Sequence, residues 1–417
     1  MKSKLKNLLN NPMLIIFLVI MVVFMPAKIF APGENRERGV VTAVGIDKVD
    51  DDYEVSFLVF IPSVNQTFDD KESVITGRGK SVGEAVYEAQ IAMGRKIGLY
   101  HTKTTVVNLA LMEEDGVNAL DYFGRLPGFP ENTVFICTDK SAKDLLSSTQ
   151  SLRDNLGFKL EQIVGYNADH VYVTDTSLES FYRGYYSATK ASIVGFLTTA
   201  SKDEEENYSM QVTPAEEEQP SEGANGGGGS SSGGGGEKKT IVNTGKSALA
   251  KNGKIVKILS LEQINAINLL NGKSSKQVIK IDDVFIEKER VNAVYEIRKK
   301  DINLTTKFEN GIPIFDAKVV VNLSLIELEN STTELKINNE FTRLSEECSQ
   351  KIDQKLKNGF AKVVKLLKDE KTDVLGVNEL FMKNNRKEYL RYLDQNTSAE
   401  DFIENVVFKL ELVLEAD

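Results

Sequence analysis

The feature that most limits what this chain can become is an uncharged run from Asn7 to Ala27. Its centre is unbroken apolar residue: Met13, Leu14, Ile15, Ile16, Phe17, Leu18, Val19, Ile20, Met21, Val22, Val23, Phe24 and Met25. A helix rising about 1.5 Å per residue crosses about 30 Å of hydrocarbon in roughly 20 residues, a length this span reaches with Asn7 to Asn11 among the headgroups. Every backbone polar group is then satisfied inside the helix. Lys2, Lys4 and Lys6 precede the run, and the positive-inside tendency holds them in the cytoplasm. Everything after about Lys28 is therefore expected on the extracytoplasmic side of a membrane. The competing reading, a cleaved secretory signal, needs small residues spaced as Ala-x-Ala, and the exit Phe24-Met25-Pro26-Ala27 is a poor match. An uncleaved transmembrane anchor, with its cytoplasmic tip, is expected over residues 1–35.

The chain of 417 residues is too long for one ordinary core. Hydrophobic residues at 41% and charged residues at 27% allow the exported part to fold by burial, without disulfide staples. Its two cysteines, Cys137 and Cys348, make no framework, and Cys348 falls on an apolar stripe where it reads as a small core residue. The net charge of −10 includes four lysines and no acid in residues 1–28, which leaves the remainder near −14. A surface of that sign repels phosphate backbones and anionic lipid, so nucleic acid is not an expected partner.

Composition divides the rest. From Lys202 to Lys239 an acidic stretch runs into Gly226–Gly229, Ser230–Ser232 and Gly233–Gly236, too poor in apolar groups to offset its ordering entropy. It reads as a flexible linker over 202–239 with an end-to-end distance of roughly 35 Å. Before it lies an N-terminal domain, 36–201. Gly39 to Asp47 and Tyr53 to Ile61 predict a hairpin, and Ser81-Val-Gly-Glu84 has the spacing of a capping box that opens a helix reaching about Lys96. Thr104 to Leu111 and Thr133 to Cys137 predict strands, and Glu113 to Gly124, Ala142 to Ser147, Phe158 to Ala168 and Ser177 to Ser187 predict helices. Strand and helix alternate, so a sheet covered by helices is expected.

After the linker the spacing predicts a middle domain, 240–300, and a C-terminal domain, 301–417. Lys251-Asn-Gly253 marks a tight turn between two strands, and a helix from Leu261 to Leu270 stops at Asn271-Gly272. Val284 to Arg298 and Ile314 to Leu328 predict long strands. From Glu334 to about Lys368 the apolar positions Ile337, Phe341, Leu344, Cys348, Ile352, Leu356, Phe360, Val363 and Leu367 keep one stripe on one helix face, interrupted by Gly359. This long helix is expected to lie on a sheet. Val406 to Leu414 alternates as a closing strand. The fold class is α+β (mixed α/β), an N-terminal anchor followed by a multi-domain ectodomain of sheets covered by helices.

Motifs that look chemical fail on their context. Gly245-Lys246-Ser247 resembles the end of a phosphate-binding loop, but Thr240 stands where the first glycine is required and a hairpin follows in place of a helix. In Gly77-Arg-Gly79-Lys-Ser-Val-Gly83 the third glycine of a dinucleotide loop is one residue late. With His101 and His170 as the only histidines, neither a structural zinc site nor a histidine-based triad is expected. Asp50-Asp51-Asp52 reads as a solvated turn. No catalytic residue, cofactor site or metal site is predicted.

Several segments taken in order carry more than any one of them. Gly39-Val-Val-Thr-Ala-Val-Gly45-Ile-Asp47, a second strand ending in Ile61-Pro62, Gly79-Lys-Ser-Val-Gly-Glu-Ala85 and Arg95-Lys-Ile-Gly-Leu-Tyr-His101-Thr-Lys103 resemble the N-terminal domain of the Ger(x)C family, the C subunits of spore germinant receptors. Gly245 to Leu259 resembles the family's middle hairpin, and the long helix leading to Thr372-Asp-Val-Leu-Gly376 resembles its C-terminal domain. The resemblance spans about 36–415. It implies a non-enzymatic subunit in spore germination, working with integral membrane germinant-receptor subunits at the spore inner membrane or cell membrane, with a small-molecule nutrient as a further candidate ligand. The family's lipid-bearing cysteine has no counterpart here, and the apolar helix takes its place as the anchor. An anchored extracytoplasmic ligand-binding or sensor module is the alternative, with an exported enzyme behind it. Gly45, Asp47, His101, Lys103, Asp373 and Gly376 are the candidate motif or interface residues.

Overall fold

A computed structural model describes residues 12–13, 38–60, 72–114, 116–148, 160–165, 176–200, 240–242, 246–272, 277–286, 289–329, 344–396 and 398–416. In chain order its elements are β1 (Arg38–Val49), β2 (Asp52–Phe60), β3 (Glu72–Gly79), α1 (Val82–Met93), β4 (Lys96–Gly98), β5 (Thr104–Asn108), α2 (Leu109–Glu114), α3 (Gly116–Arg125), β6 (Val134–Thr138), α4 (Ala142–Ser147), α5 (Leu178–Tyr185), β7 (Ala191–Phe196), β8 (Thr198–Ala200) and β9 (Thr240–Val242). There follow β10 (Ser247–Lys251), β11 (Lys254–Leu259), α6 (Leu261–Leu270), β12 (Val278–Ile286), β13 (Glu289–Glu309), β14 (Ile312–Glu329), α7 (Glu346–Asp369), α8 (Val377–Asn384), α9 (Arg386–Asn396), α10 (Ala399–Asn405) and β15 (Val407–Ala416).

The first sheet runs β11-β10-β7-β6-β5-β1-β2-β3, with β4 beside the start of β1. Its centre is parallel, β1 with β5, β5 with β6 and β6 with β7, and it is finished by antiparallel hairpins on both sides. One face packs on α1, α2, α3 and α5 through Val44, Ile46, Val86, Leu120, Phe123 and Phe181, all buried. The other face packs on α4 and the helical turn at Leu160 and Val164. α1 lies hard against β3. A Cβ at Gly77 would stand 2.1 Å from the Ala85 carbonyl oxygen, so glycine is what lets helix and strand approach.

The second sheet, β12-β13-β14-β15, is antiparallel except for β15, which runs parallel to β14. α7 covers it with Cys348, Ile352, Leu356, Phe360, Val363, Leu366 and Leu367, each buried. Burial of each larger apolar side chain is worth about 1.5–3 kcal/mol, which holds helix to sheet. Gly359 does not interrupt α7. A Cβ there would meet the Glu262 carbonyl oxygen at 3.3 Å and Ala266 Cβ at 3.4 Å, so the glycine is where α6 crosses. β15 alternates as expected, with Phe408, Leu410, Leu412 and Leu414 against the core and Lys409 and Glu411 exposed.

The architecture is the expected mixture of sheets and helices, and the differences have physical causes. The stretch 240–300 forms no separate sheet. β10 pairs with β7 and, with β11, extends the first sheet, while α6 and β12 join the second. A boundary at 300 falls inside β13. The strand expected from Val284 to Arg298 is two strands, and β13 continues to Glu309, where Asn310-Gly311 makes a left-handed turn (φ 51° and 82°) into β14. Asn252-Gly253 (φ 53° and 78°) turns β10 into β11 as expected. Ser247 begins a strand, which removes the phosphate-loop geometry. The capping box at Ser81 is half formed: the Ser81 hydroxyl accepts from the Glu84 N–H, while the Glu84 carboxylate accepts from the Lys80 N–H instead.

The apolar run lies outside the described residues apart from Met13. Among the described residues no helix is long and apolar enough to cross a membrane. Also outside them are His170, the linker 202–239 and the positions of Ile337 and Phe341. Cys137 and Cys348 are buried and free, so they form no disulfide.

Candidate functional site

Gly45 and Asp47 lie on the same face of β1, two residues apart, and both serve α4. A Cβ at Gly45 would stand 2.9 Å from Leu146 Cδ1 and 3.2 Å from Ala142 Cβ, so the bare backbone seats the helix. The buried Asp47 carboxylate accepts from the Ser141 hydroxyl (2.9 Å) and from the N–H groups of Ala142 (2.7 Å) and Lys143 (3.0 Å). These are orphan donors of a first helical turn. Burial holds the Asp47 carboxyl above its usual range, and the charge of Glu54 adds to this, while the three donors pull the other way.

Glu54 lies opposite Asp47 on β2, and Arg78 lies opposite Glu54 on β3. The three form one cross-strand row. Glu54 is buried, with the Arg78 guanidinium at 2.6 Å and the Lys143 ammonium at 3.4 Å. Lys143 therefore touches both carboxylates, Asp47 through its N–H and Glu54 through its side chain. Two opposed carboxylates repel, and the two cations are what make their burial tolerable.

Asp373 and Gly376 form a second, separate node. Gly376, in the left-handed conformation (φ 71°), precedes α8, and the Asp373 carboxylate accepts from the N–H groups of Val377 (2.8 Å) and Asn378 (2.7 Å) and from the Asn378 side chain (3.1 Å). Burial raises this carboxyl too, against the pull of its donors. The Tyr389 hydroxyl donates to Asn378 at 2.6 Å and completes the network.

This node touches the first sheet. The Asp373 N–H donates to the Thr189 hydroxyl, just before β7. Lys251, at the end of β10, donates to the Glu370 carbonyl at the C-cap of α7 (2.7 Å) and lies 3.3 Å from the Glu400 carboxylate. A cation at a helix C-terminus is favoured by the helix dipole.

His101 and Lys103 sit elsewhere, on the rim from which the parallel strands start. His101 is exposed in a turn with its ring 4.7 Å from that of Tyr100. Lys103 is half-buried, its backbone bonding to Thr42 and Val134 and its ammonium 3.7 Å from Glu161. The six residues thus fall in three places and share no exposed patch. Glu54, Lys143, Thr189 and Lys251 were missed from the sequence. The first was within reach, because a turn at Asp50-Asp51 pairs 47 with 54.

A groove of about 570 Å³ lies at the start of α1 among Tyr53, Lys80, Ser81, Asn118, Tyr122 and Arg125. Its cations are engaged, Lys80 with Asp52 at 2.5 Å and Arg125 with Asp121 at 2.7 Å. Among the described residues no group of three or more His, Cys, Asp or Glu could hold a metal ion. The buried carboxylates of Asp47 and Asp373 act on helix starts, and that of Glu54 on two cations.

Two family descriptions match the chain in succession: "Spore germination protein N-terminal domain" over residues 34–199 and "Spore germination B3/ GerAC like, C-terminal" over 245–412. The chain is 21% identical over 424 residues to spore germination protein KC of Bacillus subtilis (strain 168), a match covering 94% of this chain and 95% of that protein. Among solved structures it resembles the crystal structure of the GerBC protein, with a TM-score of 0.51 at 13% identity, over 89% of this chain and 96% of that one. That likeness concerns the fold alone. With both halves matched in order, the chain belongs to the Ger(x)C family of spore germination proteins.

Proposed function

We propose that this protein is a non-catalytic C subunit of a nutrient germinant receptor, held by Met13 to Met25 at the outer face of the spore inner membrane. It works by contact with integral membrane subunits of that receptor. The observation that carries the reading is the pair of spore germination matches at 34–199 and 245–412, in order and on either side of the Gly/Ser stretch. The site chemistry agrees. Asp47 and Asp373 spend their acceptors on helix N-termini, and Glu54 is bridged by two cations, which leaves these groups in structural use.

Deleting the gene is expected to slow or abolish the response of spores to particular nutrients, with restoration by the full-length chain. A normal response in a strain lacking related subunits would refute the assignment. Co-purification of the full chain from spore membranes is expected to retain integral membrane partners.

A further inference from the structure

We infer that one rim of the first sheet, where β1 starts, is a docking surface for anionic lipid. It rests on the anchored reading above. β1 starts at Arg38, with only 12 residues between it and Met25, and β4 pairs beside that start, Arg38 with Lys96 and Val40 with Gly98. Fully extended, such a connection reaches at most about 45 Å, which bounds how far this rim can stand from the bilayer.

Its chemistry suits an interface. Arg95 and Lys96, adjacent and exposed, take no ion-pair partner among the described residues. Lys48, Arg78, Lys80, Lys103, Arg125, Lys143 and Arg183 of the same sheet and its helices are paired with acids. Among the described cations without an ion pair, such as Lys140, Lys190 and Lys254, Arg95 and Lys96 stand out as adjacent and at the rim where β1 starts. Tyr100 and His101 stand beside them, and a Cβ at Gly98 would meet the Tyr100 ring at 3.2 Å. The end of α1 closes the patch: Met93 lies against Gly39, and Tyr87 and Ile91, one turn apart, are 63% and 57% exposed. Glu88 is the acid on that stretch of helix. Free cations beside aromatic and apolar side chains match an anionic headgroup layer locally, and orient this rim toward it against the repulsion set by the chain's net charge of −10. Aromatic rings with a polar edge favour the headgroup level.

The chain has no tryptophan, so Tyr100→Trp installs a single reporter. Full-length protein carrying it is reconstituted into phosphatidylcholine vesicles with and without phosphatidylglycerol and with brominated lipid as quencher. Strong quenching with phosphatidylglycerol is expected, and Arg95→Glu with Lys96→Glu is expected to reduce the quenched population about fivefold or more. Phe285→Trp, on the second sheet, is expected to remain unquenched. Equal quenching with and without anionic lipid, or indifference to the charge reversals in protein of unchanged circular dichroism, overturns the inference. Resistance to alkaline extraction tests the anchor separately. A Tyr100→Trp chain that stays in the membrane while its indole is unquenched keeps its anchor and loses this surface.

Discussion

Asp47 and Glu54 face each other across the first hairpin as buried carboxylates, and Lys143 touches both, one through its backbone N–H and the other through its ammonium. The pair makes the start of α4 dependent on charges held by three consecutive strands.

Replacing Asp47 by Ala leaves three donors at the start of α4 without their acceptor and is expected to cost about 2 kcal/mol in denaturant unfolding. Asp47→Asn, which keeps one acceptor oxygen, is expected to cost less. The pH dependence separates the two roles. The folded-state pKa of Asp47 is raised, so its contribution is fully present below the unfolded value of about 3.8 and is lost as pH rises through the folded value. Asp47→Asn should flatten that fall in stability with rising pH, as thermal melts in the acid range will register.

Glycines at close contacts are expected to rank by what their added carbon meets. Gly77→Ala brings Cβ to 2.1 Å from a carbonyl oxygen and 2.4 Å from the Ala89 nitrogen, both backbone, so α1 must move away from β3. Gly45→Ala meets Leu146 and Ala142 at 2.9 and 3.2 Å, where a side chain can yield. The first is expected to lose roughly 3 kcal/mol and the second about 1 kcal/mol. Equal losses in parallel denaturation curves would contradict the contact geometry.

Lys251 ties β10 to the ends of α7 and α10. Its substitution by Met is expected to remove about 1.5 kcal/mol, since a charged donor on a half-buried carbonyl is lost while the stem still packs. Hydrogen exchange should speed up at Glu370 and Asp373, and not at the centre of β14.

Lys300 shares the inner face of β13 with Ile302 and Leu304, and burial lowers its pKa to about 8. A depressed folded-state value gives stability that is present above the unfolded pKa near 10.5 and lost as pH falls through about 8. At pH 7 the charged amine is therefore a burden. Lys300→Met is expected to raise stability there by roughly 1 kcal/mol after allowance for solvent screening, with the gain shrinking between pH 8 and pH 10. Chemical denaturation at those pH values measures the crossing.

Much of the fold was legible because local chemistry announces it. Asn252-Gly253 signalled a left-handed turn, Asn271-Gly272 stopped α6, and the stripe from Cys348 to Leu367 marked one apolar helix face. Asn310-Gly311 carries the same turn signal, and it is this turn, and not Arg298, that ends β13. The six candidate residues were legible as special positions and not as a site. Asp47 and Asp373 are helix caps whose partners lie 94 to 96 and four to five residues away, so only the second was within local reach.

The order of its residues alone determined that this chain carries a membrane-length apolar run, a Gly/Ser stretch between segments rich in strand and helix signals, and the segments of a spore germination family. Those are properties of neighbours along the backbone, and hydrophobic period and turn chemistry act over a few residues. Only the tertiary structure decided that β10 and β11 complete the first sheet, that Gly359 seats α6, and that Lys143 stands between two carboxylates. Each of these is a contact between distant segments, chosen by which edge was left unpaired and which backbones could close together.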